Sequence, residues 1–407
     1  MTTAPLIISA FGQISIIATV ANLAVVPLMS GAVGVGLIAV VVGVASADVA
    51  TLFNAANWSL LKAALLLAGL CATPDWAAID ISLPAIPVLL ATVCGILSAT
   101  KAVRSKHLSG CILIVGLCFA NYFVWSKFIK TDEVVIRVLD VGQGDGILVT
   151  FPNGKNILID GEIPGFGEDA GERVILPALR YLGIRRLDAV VASHPHADHV
   201  GGLVSVLDRV EVAHYLDSGQ YYHSWTARRI HCLIEEEGIS YHTVAAGDSI
   251  LGFGEAGIVV LHPLPSFVNP DGEAPDGLNN GSVVVKITYR GKSILLTGGI
   301  EHETDSPLLA WGDVLRSSIL KAAHHGSRTS SSMPFLKAVS PDWVAISCGI
   351  DNKFRHPSPE VLAWYRELDI AGHRTDLVGC LTYRMGAGGV SVAGHLEGKQ
   401  NETVNLK

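Results

Sequence analysis

Over the first 130 residues apolar positions run almost without interruption; from residue 133 onward they alternate with polar ones or gather in short blocks. The early part holds apolar stretches at roughly 5–29, 31–53, 58–72, 84–99 and 108–126. The first, second and fifth are long enough to cross about 30 Å of hydrocarbon as helices, and the third and fourth are short for it. Polar residues spaced through the first stretch, such as Gln13, Ser15 and Asn22, belong on a face that packs against other helices rather than lipid. The later part reads as short strands at 134–141, 146–151 and 156–160, an antiparallel meander turned by Pro152-Asn153-Gly154. A helix is predicted over 171–182, a buried strand over 187–193 and a helix from Leu203. Strands follow at 257–262, 282–289 and 293–297, and helices at 303–311, 333–338 and 358–369. That order predicts residues 131–407 as an α+β domain, two sheets sandwiched between helices, behind an all-α polytopic transmembrane segment over 1–130.

Charge sharpens this division. Residues 1–130 contain six Lys/Arg and three Asp, whereas the rest holds 23 basic and 34 acidic residues, a net of −11. The mean hydropathy of +0.43 therefore averages a membrane-like part and an ordinary acidic domain. No basic n-region precedes the first apolar stretch, which argues against a cleaved signal peptide. The basic loop 101–107 is expected to stay cytoplasmic and Asp75 and Asp80 to lie outside, so that helix 108–126 delivers the domain to the external or periplasmic face. Lys127 and Lys130, at the other end of that helix, pull the other way. Seven cysteines without C-x-x-C spacing predict neither a disulfide framework nor a Cys-type zinc site.

The chemistry concentrates in His194-Pro195-His196-Ala197-Asp198-His199, followed by Gly201-Gly202. Three imidazoles and a carboxylate in six residues suit a borderline divalent cation, zinc or manganese. They follow an apolar strand, and strand ends are where α/β folds usually place their sites. A solvated His-rich turn is the plainer alternative. Further candidates end or follow later apolar runs: His324-His325-Gly326-Ser327, His356-Pro357, and Thr375-Asp376. His214, His223, His231 and His242 have no distinguishing context.

The H-x-H-x-D-H signature resembles that of the metallo-β-lactamase fold superfamily. A wider set resembles the external hydrolase domain of the ComEC-type DNA-internalisation competence proteins. It comprises Asp140 to Asp145 with Gln143, Asp160, Ser193 to Gly202, Asn280 with Ser282, Leu295 to Glu301, Lys321 to Ser327, His356-Pro357, and Asp376 with Gly379. Residues 5–27 look like the tail of that family's membrane domain, and full-length members carry more upstream, so the chain is expected to be a truncated or split member or a fragment. The resemblance implies a four-layer αββα sandwich. It implies that His194 and His196 hold one ion, that Asp198 and His199 help hold a second, and that His324 or His325 adds a ligand. Asp198 would also accept a proton from the attacking water. Asp140, Gln143, Asp145, Asp160, Asn280, Ser282, Lys321, Ser327, His356 and Asp376 would support that centre or contact substrate.

One departure bears on activity. Members usually read Thr-Gly-Asp where this chain reads Thr297-Gly298-Gly299, and that aspartate bridges the two ions. Its loss, and the lack of an evident intermediate histidine ligand, predict a weakened second ion. The expected function is a membrane-anchored, divalent-metal-dependent nuclease or phosphodiesterase working on DNA during uptake beside other channel components. Lys321, Arg328, Lys353 and Arg355 are expected as a local basic track, despite the net negative charge. The competing expectation is a non-hydrolytic DNA-binding or structural component. A small-molecule hydrolase of the same fold is a third.

Overall fold

The computed structural model describes residues 13–74, 77–80, 110, 112–119, 132–162, 170–220, 222–267 and 277–395. The chain divides into two compact units, residues 1–126 with 180–183, and residues 127–179 with 184–407.

In the first unit two short strands, β1 (Gln13–Ser15) and β2 (Ala78–Asp80), pair antiparallel. Two helices lie between them in sequence, Ala18–Gly43 and Ala47–Ala72. Both are long and apolar enough to cross a membrane. This corrects the three stretches expected over 5–72. Ser30 and Asn54, which fall between the expected stretches, sit inside helices, because short polar side chains are tolerated where backbone bonds stay intact. The true break is Val44-Ala45-Ser46, where Ser46 caps the second helix by accepting a bond from the Val49 N–H at 3.4 Å. Small residues line the hairpin seam: a Cβ at Gly36 would lie 3.0 Å from the Asn57 amide, and one at Gly43 3.5 Å from Ala50. The predicted helix 108–126 is helical at Gly110 and over 112–119; the stretch 84–99 and the basic loop 101–107 lie outside the described residues.

The second unit holds an eight-stranded and a six-stranded sheet. The first begins with the predicted meander, β3 (Glu133–Val138), β4 (Ile147–Thr150) and β5 (Asn156–Ile159), paired antiparallel. After the short strand β6 (Arg186–Leu187), β7 (Ala189–Val191) continues it parallel to β5. β6 pairs instead with β8 (Glu211–Val212) in a two-stranded ribbon. Next come β9 (His214–Asp217) and the edge strand β10 (Ser240–Thr243). The second sheet runs β11 (Gly257–His262), β12 (Val284–Tyr289), β13 (Lys292–Leu296), β14 (Ile319–Lys321), β15 (Trp343–Ile346) and β16 (Ala371–Arg374), with β13 to β16 parallel. A final hairpin, β17 (Leu381–Gly386) and β18 (Gly389–Gly394), returns to β3.

Alternation along the strands divides the core. Ile136, Val149, Ile157, Val285, Ile287, Ile294 and Ala345 fill the space between the sheets. Val284, Leu295, Leu320 and Val344 point the other way, onto Phe335 and Leu336 of helix Met333–Val339 and Val361 and Tyr365 of helix Pro359–Glu367. Helices at Leu176–Leu182, Leu203–Arg209 and Trp225–Glu236 accompany the first sheet in sequence. The result is the expected αββα sandwich. The Ser193 carbonyl at the end of β7 accepts a bond from the Val283 N–H just before β12, at 2.8 Å, which ties the two sheets together where the candidate residues gather.

Candidate metal centre

Parallel strands β5 and β7, and β13 and β14, end at loops that bear the candidate residues, as expected where parallel strands present their carboxyl ends. Asp160 follows β5 and adopts φ +59°. Its carboxylate accepts the Ser193 N–H and Oγ–H, both at 2.7 Å, and the His199 Nδ1–H at 2.8 Å. His196 caps the short helix Ala197–Val200, which carries Asp198 and His199. Gly144 admits the neighbouring loop to this helix: a Cβ there would lie 2.2 Å from the Asp198 carbonyl oxygen.

The hydrogen bonds fix which ring nitrogens are bare. His199 donates from Nδ1 to Asp160. His325 donates from Nδ1 to the Ser347 carbonyl at 3.1 Å. His196 Nδ1 meets the Asn279 amide oxygen at 2.9 Å. His194 Nδ1 lies 3.1 Å from Ser193 Oγ and 3.2 Å from Ser282 Oγ. Those two hydroxyl protons are already given to Asp160 and to the Asn279 carbonyl, so both oxygens accept from His194. All four imidazoles thus present Nε2 as a lone pair, the tautomer a metal-binding histidine needs and the one its hydrogen-bonded neighbours normally enforce. The buried Nε2 of His325 has no protein partner.

Asp198, His199 and His325 bring ligand atoms within 4.8 Å of one another, and Asp145, Asp160 and His199 form a second such group behind them. The donor set, a carboxylate and imidazoles with an unpartnered buried nitrogen among them, fits a divalent cation. Electrostatics agree for His194 and His325, whereas at His199 the surrounding carboxylates favour a proton that a cation would have to displace. Burial, helped by the neighbouring imidazoles, holds His194 well below the ordinary histidine range, and burial together with the Lys321 charge does the same for His325. Both are therefore neutral at physiological pH. For His199 burial acts downward, but the Asp160 carboxylate outweighs it and raises the pKa.

Lys321, expected on a basic track, is fully buried on β14 and ion-paired with buried Asp145. It turns inward because Asp145, also buried, lies 3.8 Å from His199 and 3.7 Å from His325 and needs a counter-charge. His324 and His325 both adopt left-handed φ, +46° and +57°. This turn sends His325 into the ligand group and His324 out of it. The His324 Nδ1 lies 3.2 Å from Glu301 Oε1, and its ring lies 5.8 Å from that of His356.

The remaining candidates split. The Asn280 side-chain oxygen accepts the Glu301 N–H at 2.9 Å. Gln143 Oε1 accepts the Gly349 N–H at 3.2 Å, and Ser327 bonds to Thr329. Asp376 is held by Arg374 at 2.6 Å, and Asp140 stands exposed nearby with its pKa raised by partial burial and by Asp376; neither joins the ligand group. His214 and His242 bond to each other at 3.2 Å, and none of the four unassigned histidines enters the group among the described residues. Sequence reasoning missed Asn279 and Ser347, whose roles depend on a fold-dependent contact that no local pattern signals. Gly299 explains its own neighbourhood: a Cβ there would meet His194 Cε1 at 2.7 Å, so the imidazole occupies the space a larger residue would claim.

Fold and donor set together define the class: the chain belongs to the metallo-beta-lactamase superfamily, whose family model matches residues 139–349, over half its length. Residues 1–106 match the family model described as competence protein. Along most of its length the chain is similar to ComE operon protein 3 of Bacillus subtilis (strain 168), at 28% identity over 396 residues, covering 93% of this chain and 50% of that protein. It is similar also to competence protein ComA of Neisseria gonorrhoeae, at 29% identity over 310 residues, covering 75% and 40%. The ComEC-type resemblance read from the sequence therefore holds. The chain spans half or less of these relatives' length. Among solved structures, Igni18, a metallo hydrolase from the archaeon Ignicoccus hospitalis, aligns over 61% of this chain and 98% of that one at 14% identity and a TM-score of 0.39.

Proposed function

We propose that this chain is the membrane-anchored hydrolase portion of a DNA-uptake system, and that its sandwich domain is a divalent-metal-dependent phosphodiesterase acting on DNA. The observation that carries the reading is a chain of neighbouring imidazoles with Nδ1 engaged, two of which, His199 and His325, bring ligand atoms together with Asp198, while His194 packs against His199 and His196. Asp198, His199 and His325 are the residues we assign to the ion, with His194 and His196 beside them as ligands of a further one. Zinc or manganese, one or two ions, would supply Lewis acidity and a water acidified toward neutral pH. The Asp198 carboxylate would take the proton of the attacking water. Asp160, through Ser193 and His199, would keep the rings aimed, and the buried Asp145–Lys321 pair would hold His199 and His325 from behind. The two apolar helices would anchor the domain, and the basic loop 101–107 favours an external or periplasmic face.

A second reading has its own observation. Gly299 offers no carboxylate to bridge two ions, and the His194 ring lies in that place. This favours a domain that binds DNA beside a channel and hydrolyses nothing. Cleavage of labelled single- and double-stranded DNA by the detergent-purified chain, with zinc, manganese or EDTA, separates the readings. Metal-dependent cleavage lost in Asp198→Ala supports the first; DNA binding without cleavage in either metal supports the second.

A further inference from the structure

Three large apolar side chains of the sandwich, Ile350, Phe354 and Leu377, stand 73%, 52% and 52% exposed. They come from two separate segments, the loop after β15 and the short helix Thr375–Val378. Ile350 and Leu377 nevertheless line one trough, of about 800 Å³, together with Asp351, Lys353, Arg355 and His356. Phe354 stands between lining residues in sequence; its ring stacks on that of His356 at 5.8 Å and 11°, and Lys353 Nζ lies 4.9 Å from its centre. In the same wall Arg374 is paired with Asp376, whereas Lys353 and Arg355 have no carboxylate within ion-pair distance among the described residues. Large aliphatic groups gathered beside unpaired cations mark a surface made to be covered.

The loop holds these groups outward by its own bonding. Asp351 and Arg355 both adopt left-handed φ, +49° and +58°, a conformation that bulky residues keep only where their surroundings impose it. Asn352 imposes it here. It donates from Nδ2 to the carbonyls of Gly349 and His356, at 2.9 and 2.7 Å, and accepts the His356 N–H at Oδ1 at 2.9 Å. The Ser358 N–H donates to the Gly326 carbonyl at 2.9 Å, which anchors the far end of the loop. The exposed side chains are therefore presented on a fixed frame, and little ordering cost attends their burial by a partner.

We infer that this loop and Leu377 form a docking patch for an anionic lipid surface: Ile350, Phe354 and Leu377 enter the boundary between headgroups and acyl chains, and Lys353 and Arg355 meet the lipid phosphates. The inference rests on the membrane anchoring proposed above, not on hydrolysis, and adds which face of the sandwich turns to the bilayer. Side-chain chemistry selects lipid over nucleic acid. Ile350 and Leu377 have no π-face on which a base could stack, and the Phe354 ring is already engaged by His356 and Lys353. Aliphatic surface gains by leaving water for an apolar medium, and amphipathic cations suit its border. Charge then fixes the orientation. An anionic leaflet repels a domain of net charge −11 over most of its surface and attracts it where unpaired cations face outward.

Photo-crosslinking of the full chain tests the patch. The chain is placed in nanodiscs of phosphatidylcholine alone or mixed with phosphatidylglycerol, each carrying tritiated lipid, with a labelled oligonucleotide in solution. The photoreactive residue p-benzoylphenylalanine is placed at Ile350 or, as an equally exposed control elsewhere on the sandwich, at Leu251, 83% exposed. Position 350 should give lipid adducts well above position 251, and more of them with phosphatidylglycerol. Lys353→Ala/Arg355→Ala should weaken docking about 30-fold and remove most of the adduct at 350. Equal lipid yields at the two positions, indifference to phosphatidylglycerol, or adducts at 350 with the oligonucleotide or a second chain in place of lipid overturns the patch. Alkaline carbonate extraction from vesicles scores anchoring separately. A chain that stays embedded but gives no lipid adduct at 350 refutes the patch and keeps the anchor. A chain that carbonate strips, yet which gives the adduct beforehand, keeps the patch and sinks the anchor.

Discussion

On one side of the ligand group, His199 and His325 rest on partners that are themselves buried: Asp160, the Ser347 carbonyl, and the Asp145–Lys321 pair behind both. On the other side His194 rests on two serine hydroxyls and lies against Gly299, which offers only backbone. The first side is fixed before any ion arrives, which is the condition for tight coordination. The second keeps the correct tautomer but lacks a carboxylate. A superfamily signature in sequence thus specifies one half of the centre more strongly than the other.

Removing the completed side should have the largest effect. His325→Ala is expected to lower phosphodiester turnover at least about 1,000-fold, because it deletes an assigned ligand whose ring nitrogen has no other role. Steady-state rates at saturating manganese and zinc check this, and a residual rate within tenfold of wild type would remove His325 from the centre. Next comes the support behind it. Lys321→Met strips the buried Asp145 carboxyl, which burial already pushes toward its protonated form, of its lysine counter-charge, which should cost about 3–5 kcal/mol of stability, read from thermal unfolding of the sandwich. Asp160→Asn keeps the shape but weakens the acceptor for His199 and Ser193; cation affinity should fall about 10- to 100-fold with the fold intact.

The open side predicts smaller changes. Gly299→Ala puts a methyl 2.7 Å from the His194 ring, so it should destabilise by about 1–3 kcal/mol unless that ring swings away. Gly299→Asp is therefore a compound change, a new carboxylate and a displaced imidazole. If it restores cleavage in an inactive wild type, His194 has moved. The smallest effect concerns pH and lies outside the centre. Burial raises the Asp217 carboxyl, against the bonds it accepts from the Gly219 N–H and the Tyr241 hydroxyl, at 2.8 and 2.9 Å. Its folded state thus holds the proton more tightly than the unfolded chain, and the contribution to stability declines as pH rises from the ordinary aspartate range through the folded pKa. Asp217→Asn should gain stability relative to wild type as pH climbs from 4.5 to 7.5, measured as Tm at each pH; a constant difference would contradict this.

Much of this centre is legible in the chain because its ligands are compressed. His194 to His199 need only a strand end and one turn of helix to converge. The meander was readable because β3 to β5 are apolar and joined by a Pro-Asn-Gly turn. β10 was not, since Ser240–Thr243 is exposed throughout and carries no alternation. Nor was β16, where Ala371-Gly372-His373-Arg374 has little strand preference and is held by β15. Lys321 was misread because a lone lysine suggests solvent, and its counter-charge stands 176 residues away. The apolar helical hairpin was misdivided because the sequence reading ended its stretches at small polar residues that lie inside the helices.

The most direct test of the central claim is equilibrium binding of zinc and manganese to the purified full chain and to His325→Ala, by calorimetry with elemental analysis of the recovered protein. Wild type should retain at least one ion per chain, and the variant should lose it while unfolding at a similar temperature. Equal ion content in the two proteins, or none in wild type, would contradict the assignment of Asp198, His199 and His325 as a cation site.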